Sequence, residues 1–204
     1  MDNKEHWEKV YGSKSSNEVS WYQPEPQTSL LFFKEMGVPV NAAIIDAGGG
    51  DSNLVDHLLR DGYTDITVLD ISEKALEKTK SRLGEKAALI KWIVADVNFF
   101  KSGKKFDVWH DRALLHFLND EAAQKKYLET VNNHLNSNGK IIIGTFSVTG
   151  PEKCSDLPVK RYSETSLAAL VMKYFKKIKC ITVNHATPFN TIQNFLFCSF
   201  LKTI

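Results

Sequence analysis

The sequence predicts an α/β fold with a doubly wound, mostly parallel sheet of seven strands and an antiparallel hairpin at its C-terminal end. Short apolar runs alternate with longer amphipathic ones along most of the chain, a pattern typical of parallel strands joined by helices. The last two apolar runs, residues 178–183 and 195–200, are separated by a short loop around Pro188. Strands joined in this way must pair antiparallel, because a parallel crossover needs a dozen or more residues.

The first half of the chain supplies two strands and two helices. Residues 42–46 are a buried-strand candidate that three glycines end, and residues 52–60 carry the apolar face of a helix. Residues 65–70 are the second strand. Ser72 is placed to cap the following helix, and Gly84 is placed to end it.

The second half of the chain repeats the alternation. The remaining strand candidates before the hairpin are residues 88–95, 106–109 and 140–146. Residues 120–135 are predicted to form a helix that stops at the Asn- and Gly-rich segment 136–139. A last helix, which begins after Ser163 and runs through Tyr174, precedes the hairpin.

Length and composition fit a single domain, in which residues 1–40 form a helical lid over a core of residues 41–204. The 26 basic and 24 acidic side chains nearly balance and intermingle. This excludes the charge footprint of a protein that binds nucleic acid or a membrane surface. No apolar run approaches the roughly 20 residues that cross a bilayer.

The cysteines favour a reducing compartment. Cys154, Cys180 and Cys198 are odd in number and widely spaced, so they predict neither a disulfide framework nor a zinc cluster. The first residues lack the apolar core of a secretory signal, and we expect a cytoplasmic protein. The sequence leaves the oligomeric state open.

A glycine-rich turn, residues 46–51 (Asp-Ala-Gly-Gly-Gly-Asp), follows the first strand. Ligands of doubly wound sheets bind at the carboxyl ends of the strands, and Gly48 and Gly50 let the backbone pass close to a ligand. The dinucleotide fingerprint would need a glycine where Asn53 stands. The carboxylate of Asp46 would repel a pyrophosphate but suits a cationic amino acid, so the turn favours a positively charged ligand.

Two further aspartates end successive strands. Asp70 lies 20 residues after Gly50, where a carboxylate can accept hydrogen bonds from both ribose hydroxyls. Asp96, followed by Val97, ends the third strand within reach of an adenine edge. Each aspartate alone is equally consistent with a helix cap or a turn, but together, beside a glycine turn, they predict a nucleoside site.

These segments resemble the consecutive motifs of class I S-adenosylmethionine-dependent methyltransferases, which have a Rossmann-like fold. The matching segments are residues 44–51 (IIDAGGGD), 68–72 (VLDIS) and 95–97 (ADV), and the similarity extends over about residues 40–200. It implies S-adenosylmethionine as methyl donor and S-adenosylhomocysteine as product. It places Asp46, Gly48 and Gly50 at the methionine and ribose portions, Asp70 at the ribose, and Asp96 and Val97 at the adenine. Ile71 is also expected to contact the donor. The family often has a larger residue where this chain has Gly49.

The segment after the fourth strand, residues 109–118 (WHDRALLHFL), clusters two histidines, a carboxylate and an arginine at the expected mouth of the site. It makes His110 or His116 a candidate general base or donor-site contact, with Asp111 orienting the donor or the acceptor. The alternative is a structural loop in which Asp111 pairs with Arg112 and His116 packs under the next helix. The spacing of the histidines does not match a metal pair on a helix, and we predict no metal.

The N-terminal residues resemble the lid of small class I enzymes. Trp7 and Tyr11 are expected over the donor, and Trp21 and Tyr22 at the acceptor. For Trp7, packing against the sheet is an equally open role. Arg161 and His185 fall in loops on the acceptor side, where Arg161 either holds an anionic substrate or forms a surface ion pair.

The sequence thus predicts methyl transfer to a small-molecule acceptor, because a short lid without an added substrate domain favours a compact acceptor. The first alternative is a protein-lysine methyltransferase, since several small enzymes of this class with similar lids act on proteins. The second is a module that binds S-adenosylmethionine without catalysis, against which the crowded histidine and aspartate segment argues. Nucleic-acid methyltransferases that act on exocyclic amines carry an Asn/Asp-Pro-Pro-aromatic run that this sequence lacks.

Overall fold

The computed structural model describes residues 3–203. Its strands are β1 (Ala43–Ala47), β2 (Asp65–Asp70), β3 (Ile90–Val94), β4 (Phe106–Arg112), β5 (Leu135–Phe146), β6 (Lys153–Cys154), β7 (Leu157–Pro158), β8 (Phe175–Ala186) and β9 (Ile192–Lys202). Its α-helices are α1 (Asn3–Ser13), α2 (Gln27–Glu35), α3 (Leu54–Arg60), α4 (Glu73–Leu83), α5 (Glu121–His134) and α6 (Glu164–Val171).

Seven strands form one sheet in the order β3-β2-β1-β4-β5-β9-β8, and β6 and β7 form a separate two-stranded ribbon. The first five strands pair in parallel, whereas β9 runs antiparallel to both of its neighbours. This confirms the predicted doubly wound sheet and its C-terminal hairpin. The reversal of strand order at β1 and β4 places the ligand edge where the glycine turn lies.

Most helix ends agree with the sequence, but α6 ends at Val171, three residues before the predicted end at Tyr174. Ser72 Oγ accepts a hydrogen bond from the Ala75 N–H at the start of α4, and Gly84 ends that helix with a φ of +57°. Asp120 caps α5 by accepting from the Ala123 N–H. These caps satisfy backbone donors that have no partner within the helix.

Helices cover both faces of the sheet. Adjacent residues of β1 point to opposite sides, so that Ile44 packs with Phe33 of α2 and Ile45 packs in the cluster that contains Tyr127 of α5. Both isoleucines are fully buried. Burial on both faces explains why β1 is a nearly continuous apolar run without alternation.

Strand β5 begins earlier than the sequence predicts. It pairs with β4 from Leu135 onward, and the register shifts across the segment 136–139 before Lys140 pairs with Val108. Asn138 takes a φ of +62° in this irregularity. The segment therefore ends helix α5 as predicted, but its residues belong to strand β5 and not to a loop before that strand.

The cysteines correct one expectation. Cys180 and Cys198 lie opposite each other in the β8–β9 register and form a disulfide, whereas Cys154 is free and buried. The sequence spacing did not indicate this bond, because the hairpin register brings the two residues together. Within residues 3–203, no helix is long and apolar enough to span a membrane.

Candidate functional site

A cavity lies at the carboxyl ends of the parallel strands, where the sheet order reverses. It contains about 870 Å³ of empty space, part of it open to solvent. Gly48, Asp70, Ile71, Asp96 and Val97 line one side. Arg112, Leu114, Phe117 and Cys154 line the other side, and Trp7, Tyr11 and Trp21 line it from the N-terminal region.

The glycine turn approaches its neighbours closely at two positions. A β-carbon on Gly48, which has a φ of +69°, would lie 2.7 Å from Leu114 Cδ1. A β-carbon on Gly50 would lie 2.7 Å from Tyr11 Oη and 3.3 Å from Asp70 Oδ2. The turn therefore passes directly under the cavity floor, and only glycine leaves that space open.

Gly49, which departs from the family motif, lies too close to neighbouring side chains to be replaced by a larger residue. A β-carbon there would lie 2.7 Å both from Asp46 Oδ2 and from Val68 Cγ1. The larger residue that related motifs often carry does not fit over this aspartate. The three consecutive glycines are thus explained by packing on both faces of the turn.

Asp70 lies at the end of β2 with its carboxylate buried in the cavity wall. The Ser72 N–H donates to Oδ1 at 2.8 Å, which fixes the side chain. Burial, together with the smaller effect of the neighbouring Asp46 and Asp51, raises the pKa of Asp70 to about 7, although backbone hydrogen bonds lower it. The carboxylate therefore titrates close to neutral pH.

We expect Asp70→Asn to remove a pH dependence from donor binding. A ribose diol needs the ionised acceptor, so the affinity of the unmutated protein for S-adenosylhomocysteine should fall as the pH drops below about 7, by up to about tenfold per pH unit. The variant should bind at least about tenfold more weakly, or roughly 1.4 kcal/mol, at pH 8. Titration calorimetry between pH 6 and 8.5 measures both effects.

The same substitution should stabilise the protein without ligand. The stability that protonated Asp70 contributes is complete below its unfolded pKa of 3.8 and is lost as the pH rises to about 7. Asp70→Asn should therefore raise the melting temperature at pH 8, whereas the exposed Asp61→Asn serves as a control. An S-adenosylhomocysteine affinity of the unmutated protein that is constant over this pH range would contradict the ionisation argument.

Asp96 and Val97, which the family resemblance places at the adenine, line the cavity together with Ile71. The Asp96 side chain also accepts a hydrogen bond from the Asn98 N–H at 2.8 Å, which caps the short helical turn Val97–Phe99. The two roles that the sequence left open for this aspartate, turn residue and ligand contact, are thus compatible. Its Oδ1 holds the turn, and the residue still borders the cavity.

Four aromatic side chains cover the cavity, and we call them the aromatic lid: Trp7, Tyr11, Trp21 and Phe117. The ring centre of Trp7 lies 5.0 Å from that of Phe117 and 5.9 Å from that of Trp21, both edge to face. The Tyr11 ring is buried, and its centre lies 6.0 Å from that of Trp7 and 6.1 Å from that of Trp21. Such edge-to-face contacts stabilise an aromatic cluster, so the lid joins the N-terminal region to the turn after β4.

Asp46 and His110 form a buried pair beneath the glycine turn. His110 Nδ1 lies 2.7 Å from Asp46 Oδ1, and His110 Nε2 lies 2.9 Å from Ser29 Oγ. Because a carboxylate only accepts hydrogen bonds, Nδ1 carries the proton and Nε2 is engaged by the serine. Neither side chain lines the cavity, and this favours a positioning role over the direct contacts that the sequence suggested.

Asp111 faces the opposite side of the sheet. Tyr127 Oη donates to its Oδ2 at 2.6 Å, and the N–H groups of Leu114 and Leu115 donate to its Oδ1. Burial raises the pKa of Asp111 to about 6, although these hydrogen bonds lower it. The carboxylate holds the turn after β4 and does not pair with Arg112.

His116 is fully buried between Phe117 and Phe146, whose ring centres lie 4.5 and 4.7 Å away. Burial and the nearby Arg112 lower the pKa of His116 to about 3, so the ring is neutral. Its two nitrogens have no hydrogen-bond partner within residues 3–203. This placement supports a packing role, although the rings that enclose His116 belong to Phe117 and to Phe146 of β5 and not to the next helix. It favours packing over a general base in contact with the acceptor.

Three predicted acceptor residues lie outside the cavity lining. Arg161 pairs with Glu152 at 2.9 Å, which agrees with the surface ion pair that the sequence left open. His185 Nε2 lies 2.7 Å from the Ser20 carbonyl oxygen, so it holds the loop that carries Trp21. Tyr22 belongs to the same loop.

Sequence reasoning gave no binding role to Arg112 or Cys154, which both line the cavity. Arg112 ends β4, three residues beyond the predicted end of that strand. Cys154 belongs to the ribbon β6–β7, whose two-residue strands are too short to be predicted from hydrophobic periodicity. Burial raises the pKa of the Cys154 thiol to about 11, so this group is neutral at physiological pH.

Comparison with known proteins agrees with this geometry. Residues 45–141 match the family model described as a methyltransferase domain. The chain is 27% identical to EEF1A lysine methyltransferase 2 of Danio rerio over 205 aligned positions, which cover 85% of this chain and 87% of that protein.

Two solved structures share the fold. The N-methyltransferase NodS from Bradyrhizobium japonicum, in complex with S-adenosylhomocysteine, superposes with a TM-score of 0.74 at 14% identity and covers 100% of both chains. A Burkholderia thailandensis 1,6-didemethyltoxoflavin-N1-methyltransferase superposes with a TM-score of 0.71 at 20% identity, over 98% of this chain and 84% of that one.

The strand order, the glycine turn and these matches define a class I methyltransferase with a Rossmann-like fold. The chain is an S-adenosylmethionine-dependent methyltransferase, and the predicted donor is confirmed. The residues present fit that donor, because glycine alone leaves room at positions 48 and 50 and Asp70 offers a buried carboxylate to a ribose.

Proposed function

We propose that this enzyme methylates a small molecule held between Gly48 and the aromatic lid. The observation that carries the proposal is the lid itself, whose rings contact one another over the cavity from two separate parts of the chain. A covered cavity suits a compact acceptor better than an extended one. The proposal includes Trp7 and Tyr11 at the donor and Trp21 at the acceptor.

The donor, when bound, supplies a methyl group already activated on a sulfonium. The chain holds the acceptor in line with that group and excludes water, and such positioning accounts for much of the rate. No histidine among residues 3–203 lines the cavity, and Cys154 is protonated at physiological pH. We therefore propose an acceptor atom that is already unprotonated or loses its proton readily to water.

A protein-lysine methyltransferase is the second candidate. It is supported by the similarity to EEF1A lysine methyltransferase 2, which extends over 85% of this chain. Aromatic rings such as those of the lid also attract cations, which a protonated lysine provides on approach. The buried arginine at the acceptor side of the cavity opposes this candidate electrostatically.

Labelled S-adenosylmethionine separates the two candidates. The enzyme is incubated with a cell extract and methyl-labelled donor, and the label is then separated by molecular size. We expect the label in the low-mass fraction, with a heat-inactivated enzyme as control. Label confined to a discrete protein band would replace the small-molecule proposal by the lysine alternative.

A cytoplasmic location is part of the same proposal and rests on the sequence. The disulfide between Cys180 and Cys198 weighs against it, because such bonds persist mainly in oxidising compartments. Thiol labelling of the protein isolated from its cells under acid quench tests the location. Free thiols at both positions would support a reducing compartment, and a retained disulfide would oppose it.

A further inference from the structure

Arg112 lines the cavity, and its guanidinium makes one hydrogen bond within the described part of the chain. Its Nη1 donates to the Trp21 carbonyl oxygen at 2.9 Å, and its guanidinium lies 5.2 Å from the centre of the Phe195 ring. Its Nε and Nη2 atoms are buried and have no hydrogen-bond partner in the described part of the chain. Buried donors without partners are costly, so their retention at a cavity wall points to a ligand.

The charge of Arg112 is not matched by its surroundings. Burial lowers its pKa to about 10, so the guanidinium remains cationic at neutral pH. Its electrostatic neighbours include Asp46 and Cys154, but Asp46 is already hydrogen-bonded to His110 and the Cys154 thiol is protonated. The guanidinium therefore has no ion-pair partner of its own among residues 3–203.

The sheet order places Arg112 away from the nucleoside residues. Asp96, Asp70, Gly48 and Arg112 follow or end the adjacent strands β3, β2, β1 and β4. In the β1–β4 register, Ala47 pairs with Asp111, so Arg112 lies beside Gly48 on the side opposite Asp70. That is the acceptor side of the donor site.

We propose that Arg112 binds a carboxylate of the methyl acceptor through Nε and Nη2. These two N–H groups share one edge of the planar guanidinium, and that edge matches the two oxygens of a carboxylate in a bidentate pair. The inference rests on the proposed function and deepens it, because it assigns an anionic class to the acceptor. The carboxylate of the donor is the other source of the same chemistry, and the test separates the two.

The test uses Arg112→Met, Arg112→Lys and, as a matched control, Arg60→Met, which removes an arginine with an exposed side chain on α3. Low-mass cell metabolites are divided by anion exchange into retained and unretained fractions before the reaction. Each fraction is incubated with methyl-labelled donor and one variant. Calorimetry measures the binding of S-adenosylhomocysteine and of its decarboxylated analogue, and thermal melting confirms that each variant is folded.

We expect the unmutated enzyme and Arg60→Met to label the retained, anionic fraction. Arg112→Met should lose at least about a hundredfold of that labelling while S-adenosylhomocysteine affinity changes by less than about threefold, because the carboxylate of the acceptor would be buried without its partner. Arg112→Lys should be intermediate, since a point charge replaces the planar fork.

Other outcomes overturn the inference in distinguishable ways. Labelling of the unretained fraction alone, or equal labelling by Arg112→Met, would leave methyl transfer to small molecules intact and remove the anionic acceptor. Weaker binding of S-adenosylhomocysteine by Arg112→Met, with unchanged binding of the decarboxylated analogue, would assign the arginine to the donor carboxylate. Label in neither fraction would refute the small-molecule proposal itself, and this inference with it.

Discussion

Gly48→Ala should reduce donor binding by more than about a hundredfold and leave methyl transfer undetectable. The new β-carbon would lie 2.7 Å from Leu114 Cδ1 and 2.9 Å from Leu114 Cβ, separations that require the turn after β4 to move. It would also project into the space where the donor must pass close to the backbone. Calorimetry with S-adenosylhomocysteine and a transfer assay with labelled donor measure the two losses.

The backbone strain of this substitution needs its own control. Gly48 has a φ of +69°, and Gly37 has a φ of +57° with no atom within 4 Å of an added β-carbon. Gly37→Ala therefore carries a similar conformational cost, about 1–2 kcal/mol, without the clash. We expect it to lower the melting temperature slightly and to retain donor affinity. Binding by Gly48→Ala within threefold of the unmutated protein would refute the close approach at this turn.

His110→Ala should lower the free energy of unfolding by about 3–5 kcal/mol, because it leaves the Asp46 carboxylate buried without its partner. Both side chains are almost fully buried, at 2% and 4% exposure. Donor affinity should fall as well, since Asp46 Oδ2 lies directly under Gly49. Denaturant unfolding and calorimetry measure these effects.

Two further variants separate this positioning role from the base that the sequence suggested. Ser29→Ala removes only the contact to His110 Nε2 and should cost about 1 kcal/mol. His110→Asn retains an N–H donor for Asp46 and should keep most of the transfer rate once the donor is saturating. A hundredfold loss of kcat in His110→Asn, together with an unchanged melting temperature, would restore the general base.

The donor side of the site was predictable because its signals are local. A strand that ends in an aspartate, a turn that needs glycine and a capping serine such as Ser72 each leave a mark within a few residues. Their order along the chain then follows the order of adjacent strands. The structure accordingly places Gly48, Asp70 and Asp96 around one cavity.

The acceptor side was not predictable because it depends on which way each residue of β4 points. The strand extends to Arg112, and side chains of a strand alternate between its faces. His110 therefore turns toward Asp46, Asp111 turns toward Tyr127, and Arg112 reaches the cavity at the strand end. The sequence pattern predicts that this strand ends at residue 109, so it gives no means of predicting the side-chain directions of residues 110–112.

The sequence by itself determined the sheet and its terminal hairpin, since periodicity and turn residues are properties of short segments. It indicated the donor through the resemblance of its glycine turn and strand-end aspartates to a known family. Tertiary structure alone decided the contacts between distant residues: the β8–β9 register that joins Cys180 to Cys198 and the lid contact of Trp7 with Phe117. It also decided that Nε and Nη2 of Arg112 have no partner among residues 3–203. Each depends on how elements pack, because pairing register and side-chain direction are set by neighbours far away in the chain.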